Sequence, residues 1–239
     1  MQTPTPEILT QRALKFVGDF SAEEADFWDA SPIRLENHWR TDARLLLSWL
    51  FTPAEFVCIN VNYRLDKANN NKVTIIGAGQ TKSVQVWLKE SLFASPQSDA
   101  GAWIRIDPVS VQGTGKGGAH QDSDVTALRY LLMEMDKIPL PLQLSMAGKL
   151  PLPIAALVLS GGKSLHVWLA INARDRNEYA QIAELILSKA ALIGVDSANK
   201  NPSRYCRLPG AQRKIGASGD GAQKLLYLNP HPEAREIFP

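Results

Sequence analysis

The second half of the chain contains two apolar runs, IAALVLS and SLHVWLAI, separated by only three residues. This pair constrains the fold more than any other feature, because each run is short and rich in aliphatic and β-branched residues, which is typical of buried strands. RNEYAQIAELILSKAALIG follows; its apolar residues share one helical face, and Gly194 stands where a C-terminal cap belongs. With the upstream strand ALRYLLMEMD and the short amphipathic element LPLQLSMAGKLPLP, this order predicts a β-α-β-β-α-β module of the RNA-recognition type (RRM-like) over residues 121–239.

The first half of the chain mixes helical and extended patterns. In SAEEADFWDA, Ser21 is followed three residues later by Glu24, which predicts a helix with a capping box. TDARLLLSWLF predicts a second helix, EFVCINVNYRL a strand, and KANNNK a turn. GAWIRIDPV alternates apolar and polar residues and predicts a strand with one solvent-exposed face. We therefore expect an N-terminal α/β module over residues 1–120.

Composition places the chain among ordinary globular proteins. Its 239 residues are 45% hydrophobic and carry a net charge of +2, so charge alone does not indicate a nucleic-acid partner. The two cysteines, Cys58 and Cys206, are too few for a cysteine-rich zinc site, and each is expected to be a reduced buried thiol. No stretch approaches the roughly 18 apolar residues of a membrane span, and the N-terminus lacks a signal-peptide pattern. We expect a cytoplasmic protein that has no membrane partner.

Two carboxylates stand near the end of the strand LLMEMD. Because side chains alternate faces along a strand, Glu134 and Asp136 should share one face with Leu132. The opposite face should carry Leu131, Met133 and Met135. Two carboxylates about 7 Å apart on one face are unfavourable unless a cation lies between them, and Mg²⁺ and Mn²⁺ prefer such oxygen ligands. An exposed strand end with solvated charges is the alternative interpretation.

The stretch SGGKSLH combines a glycine turn with polar side chains. Ser164 and His166 should share a strand face, and Lys163 precedes them. With the backbone amides of the turn, these side chains predict an anion-binding group. The stretch is not a Walker A loop, because Leu157 stands where that motif requires its first glycine, nor is it a nucleophile elbow. Taken alone, His166 could equally be a core histidine that bonds to the backbone.

A basic segment, GVDSANKNPSRYCRLPGAQRK, follows the long helix and begins near Asp196. Its cations are Lys200, Arg204, Arg207, Arg213 and Lys214. Such a run is usually a solvated face. Here the arginines alternate with Tyr205 and are flanked by prolines, which suits phosphate binding in a fixed geometry.

The order and spacing of these three segments resemble the archaeo-eukaryotic primase (AEP) superfamily, and most closely the primase-polymerases of plasmids, viruses and prophages. The resemblance extends from Trp103 to Leu208. It implies an α+β fold in which the N-terminal α/β module packs on the RRM-like module to form one AEP catalytic core. It also implies a DNA primase and DNA polymerase, a nucleotidyltransferase of DNA replication carried by a mobile genetic element.

The resemblance also assigns roles to individual residues. Glu134, Asp136 and Asp196 would be catalytic ligands of two Mg²⁺ or Mn²⁺ ions, and no zinc is expected. The nucleotide-binding residues would be Lys163, Ser164, His166, Arg204 and Arg207. The implied partners are a single-stranded DNA template and primer, NTPs or dNTPs, and a helicase as a further domain or a separate protein. The superfamily more often has aspartate where this chain has Glu134.

Two other interpretations compete with a polymerase. GTGKGG satisfies the G-x-G-x-x-G pattern of dinucleotide-binding enzymes, but Arg105 lies inside the supposed buried first strand and the next strand follows too soon for a crossover helix. A non-catalytic RRM-like module that binds single strands would need aromatic residues clustered on its sheet, whereas Tyr130 and Trp168 are scattered.

Overall fold

The computed structural model describes residues 4–66, 68, 72–90 and 98–239. The α-helices in this part of the chain are α1 (Pro6–Val17), α2 (Glu24–Ala30), α3 (Asp42–Leu50), α4 (Val84–Lys89), α5 (Leu140–Lys149) and α6 (Arg176–Ala190). The strands are β1 (Phe56–Asn60), β2 (Tyr63–Asp66), β3 (Lys72–Ile75), β4 (Gln80–Ser83), β5 (Trp103–Arg105), β6 (Leu128–Met135), β7 (Ile154–Leu159), β8 (Leu165–Ala173), β9 (Tyr205–Arg207) and β10 (Leu225–Leu228). The turn predicted at KANNNK lies largely outside the described residues.

The strands form two four-stranded sheets and a separate hairpin of β2 and β3. The N sheet has the order β4-β1-β5-β9, and the C sheet has the order β10-β7-β8-β6. All the strand pairings in both sheets are antiparallel. β9 follows α6 along the chain and yet completes the N sheet, whereas β10 takes the outer place in the C sheet. The chain therefore crosses between the sheets after α6.

The C sheet is buried on both faces. One face packs against α1, α5 and α6 and includes the side chains predicted to share it: Leu131, Met133 and Met135. The opposite face meets the N sheet in a second apolar cluster that contains Leu132, Trp168 and Ile104. The predicted alternation along β6 is confirmed, and the face that carries Glu134 is the one between the two sheets.

Two local predictions in the first half are wrong, each because of a contact made by the folded chain. The capping box of α2 joins Glu23 and Asp26 rather than Ser21 and Glu24, and the Glu23 amide donates to the Asp26 carboxylate at 2.7 Å. The strand β5 has no solvent-exposed face, since all three of its residues are buried. Arg105 is accommodated there because its guanidinium donates to the carbonyl oxygens of Ser203 and His120.

The predicted long helix and its cap are confirmed. α6 ends in a short 3-10 turn, and Gly194 has a left-handed φ of 103°. Its buried residues are Tyr179, Ala183, Leu187 and Ala190. In the described part of the chain, no helix is long and apolar enough to cross a membrane.

The C-terminal segment packs back onto the helical side of the molecule. The Phe238 ring lies 5.8 Å from that of Phe20 and 5.1 Å from that of Phe27, measured between centroids. The amides of Ile237 and Phe238 both donate to the carbonyl oxygen of Gly148, at 3.1 and 3.2 Å. These contacts fix the end of the chain against α5.

Candidate active site

The centre of the candidate site is a cross-strand pair on the face of the C sheet that meets the N sheet. Glu134 of β6 lies directly opposite His166 of β8 in the strand register. Directly opposed residues of antiparallel strands have neighbouring side chains, and His166 Nε2 is 3.4 Å from Glu134 Oε1. His166 is only 5% exposed. The register of one antiparallel pair thus joins two of the segments singled out in the sequence.

The two partners stabilise each other's charged forms. The positive charge of His166 lowers the pKa of Glu134 to about 2 against the opposing effect of burial, and Asn199 and Arg204 lower it further. Burial disfavours the imidazolium of His166, but its contacts with Cys206 and Glu134 outweigh burial and raise the pKa of His166. Glu134 and His166 therefore form a largely buried ion pair.

β9 brings a residue into the site that the sequence did not indicate. Cys206 has no exposed surface, and its sulfur lies 3.2 Å from His166 Nδ1 and 3.0 Å from Trp168 Nε1. The sequence predicted only a buried thiol at this position. A contact across two sheets leaves no local pattern, and the one available signal was the position of Cys206 beside Arg207 in a basic segment.

Asp136 lies just past the end of β6, beside the glycine turn. Its carboxylate is 3.6 Å from Lys163 Nζ, and the side chains of Asp136 and Lys163 are 37% and 75% exposed. A pair so exposed to solvent is weak. Lys163 is therefore free to exchange Asp136 for another anion.

The glycine turn is organised by Ser160. Its hydroxyl accepts hydrogen bonds from the amides of Gly162 and Ser164, at 3.3 and 3.2 Å. Two backbone amides of the turn that was predicted to bind an anion therefore already have a partner in Ser160, and anion binding at this turn stays a prediction. The side chains of Lys163 and Ser164 remain at the site, and Ser164 is mostly buried.

The segment after α6 is tied to the end of β6 by the backbone. The Asp196 amide donates to the Glu134 carbonyl oxygen at 2.8 Å. This bond brings the chain at Asp196 next to the chain at Glu134, although each carboxylate has its own contacts: Asp196 Oδ1 accepts from the Ala198 amide at 3.1 Å. Among the described residues, no three His, Cys, Asp or Glu side chains form a ready metal cluster. A metal role for Glu134, Asp136 and Asp196 stays a prediction.

Asn199 is a second residue that sequence reasoning missed. It is completely buried, and neither its amide nitrogen nor its amide oxygen completes a hydrogen bond of normal geometry. It lies close enough to Glu134 to help lower the pKa of that carboxylate. Asn199 therefore belongs to the immediate polar surroundings of Glu134.

The arginine side chains of the basic segment differ in how firmly their contacts hold them. Arg204 is half-buried and acts electrostatically on Glu134. Arg207 is buried, donates to the Ala100 carbonyl oxygen at 2.6 Å, and stacks its guanidinium 4.4 Å from the Trp103 ring centroid. Burial and then the charge of Arg213 lower the pKa of Arg207 to about 9. Arg207 is thus fixed in place, whereas Arg204 is the more adaptable cation.

A cavity of about 640 Å³ opens beside Asp136 and the glycine turn. Residues of α1, to which the sequence gave no role, form part of its wall. The polar lining side chains are Glu7, Thr10, Gln11, Asp136, Lys137, Lys163 and Ser218. The exposed face of α1 therefore lies across the cavity from two of the predicted site residues, Asp136 and Lys163.

The glycines of the loop GTGKGG have a structural role within the loop itself. The Gly115 amide donates to the Ala119 carbonyl oxygen at 2.8 Å, and a Cβ at Gly113 would lie 2.4 Å from the Gly118 carbonyl oxygen. The glycines thus allow the loop to pack on itself. Because the neighbouring strands are antiparallel, the dinucleotide-binding interpretation does not hold.

With its two packed antiparallel sheets, the chain has the fold of AEP catalytic domains, and the fold predicted from the sequence is confirmed. One similar solved structure is the AEP domain of the cyanophage S-2L primase-polymerase, at 21% identity and a TM-score of 0.51, covering 83% of this chain and 94% of that one. Another is the primase RepB′, at 15% identity and a TM-score of 0.52; the likeness covers 82% of this chain but only 59% of RepB′. No protein-family model and no curated protein matches the sequence.

Proposed function

We propose that this chain is the catalytic core of a DNA-dependent primase-polymerase, which transfers nucleotides from NTPs or dNTPs to a primer or an initiating nucleotide on a single-stranded template. The observation that carries the proposal is the Glu134–His166 pair in an AEP fold, with the Asp196 backbone bonded to Glu134. These contacts unite three segments that are far apart in the sequence.

The donor set fits divalent metal ions. Glu134, Asp136 and Asp196 supply only carboxylate oxygens, which Mg²⁺ and Mn²⁺ prefer. They lie on two segments joined by the 2.8 Å hydrogen bond between Asp196 and Glu134. The buried amide of Asn199 adds a polar group beside Glu134. These three carboxylates would hold the ions; when bound, two such ions stabilise the entering and leaving oxygens of an in-line displacement.

The protein's own cations would bind the triphosphate. Lys163 is largely exposed and held only by a weak pair with Asp136, so it can turn to a phosphate at little energetic cost. Arg204, which acts electrostatically on Glu134, and the fixed guanidinium of Arg207 add further positive charge. Charge-assisted hydrogen bonds from such groups neutralise the pyrophosphate as it leaves. Ser164 and His166 would also contact the nucleotide.

The test is nucleotide incorporation by an Asp136→Ala variant on primed and unprimed single-stranded DNA, with Mg²⁺ or Mn²⁺ and each nucleotide set in turn. We expect the parent to extend the primer and the variant to be inactive, because a proposed metal ligand has been removed. Asp29→Ala, at an exposed carboxylate of α2, is the matched control and should retain parental activity. Primer extension by Asp136→Ala at the parental rate would disprove the metal assignment. Oligonucleotide binding that is insensitive to chelator, without incorporation, would favour a non-catalytic binding module.

A further inference from the structure

Trp168, Cys206 and His166 form a buried polar chain that leads to Glu134. Trp168 and Cys206 have no exposed surface, and His166 has almost none. The successive contacts are 3.0 Å from Trp168 Nε1 to the sulfur, 3.2 Å from the sulfur to His166 Nδ1, and 3.4 Å from His166 Nε2 to Glu134 Oε1. This series of contacts therefore connects the core between the two sheets with the proposed site.

The directions of these hydrogen bonds follow from the groups involved. An indole N–H can only donate, so the Cys206 sulfur accepts from Trp168. The sulfur can pair with Nδ1 of His166 whether the ring is neutral with its proton on Nε2 or is an imidazolium: the thiol donates to the bare Nδ1 of the neutral ring, and the sulfur accepts from the Nδ1–H of the imidazolium. In both cases Nε2 is left to donate to Glu134. The sulfur, with the Arg207 amide nitrogen 3.5 Å from the same Nδ1, thus selects one of the orientations that the imidazole could adopt by rotating about χ2.

We propose that Cys206 is a positioning residue, which holds the ring of His166 so that Nε2 faces Glu134. The inference rests on the proposed function, because His166 is expected to contact the nucleotide and Glu134 to bind metal. Cys206 itself touches neither ligand and acts through His166. A sulfur used only to fill space would not need the ring nitrogens of two side chains, Trp168 and His166, directed at it.

Substitution by serine and by valine separates positioning from packing. Serine can still accept from Trp168 and pair with Nδ1, whereas valine fills the space without a polar atom. We expect Cys206→Val to raise the nucleotide KM about tenfold, because the loss of a residue that orients a directly contacting group typically costs about 10–100-fold. Cys206→Ser should raise the KM less. In a His166→Ala background, Cys206→Val should have no further effect. If packing were the whole role, valine would be the better substitute, since serine would bury a hydroxyl.

Nitrogen NMR of the histidine side chains provides a readout that does not depend on activity. The chain has four histidines, so the His166 signals can be assigned with His166→Ala. In the nucleotide-free full chain, we expect both ring nitrogens of His166 to be protonated, with two distinct N–H signals that stay sharp in the parent and in Cys206→Ser and are broadened by ring motion in Cys206→Val. Unchanged His166 signals in Cys206→Val, or a lower KM for the valine than for the serine variant, would overturn the inference.

The control and the NMR readout keep the two proposals separate. Cys58, also completely buried, contacts the Tyr205 hydroxyl at 3.5 Å and makes no contact with His166, so Cys58→Val should leave the His166 signals unchanged. A parent that incorporates no nucleotide would refute the proposed function, while the NMR comparison would still decide the role of Cys206. If Cys206→Val fails to fold, Cys206→Ala replaces it and is expected to behave in the same way, because it also lacks a polar side-chain atom.

Discussion

Replacing Gly161 with alanine perturbs the turn that carries Lys163 and Ser164. Gly161 has a φ of 68°, a left-handed conformation that costs a residue with a Cβ about 1–2 kcal/mol. The added Cβ would also lie 2.4 Å from the carbonyl oxygen of Gly221, and overpacking of this kind costs about 1–3 kcal/mol. We therefore expect Gly161→Ala to lower the free energy of unfolding by about 2–5 kcal/mol.

Gly219 is a matched control that separates the two contributions. Its φ is 59°, and no atom lies within 4 Å of an added Cβ. Gly219→Ala should therefore lose only the conformational part, about 1–2 kcal/mol. Urea unfolding followed by tryptophan fluorescence measures both variants, since Trp168 is fully buried between the sheets. Equal losses in the two variants would refute the conclusion that Gly161 is needed for close approach to Gly221.

Three further predictions use other parts of the molecule. Phe238→Ala should lower the free energy of unfolding by about 2 kcal/mol, because it removes a ring packed on two others; Phe16→Ala, at a ring that is 40% exposed, should cost much less in the same urea titration. Burial raises the pKa of Asp107 to about 8, so the folded state keeps a proton that the unfolded state releases, and stability should fall as pH rises from about 4 to 8. Asp107→Asn should remove this dependence, so that the parent loses roughly 1.4 kcal/mol per pH unit relative to the variant in that window; parallel stability curves would contradict the assignment. Lys163→Gln should raise the nucleotide KM without changing stability, because the side chain is 75% exposed and weakly paired; an unchanged KM in steady-state incorporation would remove Lys163 from the proposed triphosphate site.

Features that depend on neighbouring residues were predictable from the sequence. The alternation along β6 placed Leu131, Met133 and Met135 on the face opposite Leu132 because side-chain direction in a strand has a period of two. The helix α6 and its cap at Gly194 follow from a period of 3.6 residues and a left-handed glycine. Such patterns are local, and they survive in the folded protein.

Features that depend on distant contacts were not predictable. The alternation in GAWIRIDPV predicted a solvent-exposed face, but the carbonyl oxygens of Ser203 and His120 accept from the guanidinium of Arg105 inside the core. The contact of Cys206 with His166 requires β9 to join the N sheet, which no spacing in the sequence reveals. Within the candidate site, the sequence named Glu134 and His166 but predicted neither their direct contact nor the roles of Cys206 and Asn199 beside them.

The placement of β9 has a consequence for the order in which the protein can form. β5 pairs with β1 from nearby in the sequence, but its other edge is completed only by residues 205–207. During synthesis the N sheet must therefore wait, with one edge unpaired, until the helix α6 and the segment after it have left the ribosome. Contacts between residues so far apart in the chain slow folding, and an open strand edge invites pairing with another chain. Newly made chains should be most prone to aggregation in the interval before β9 docks.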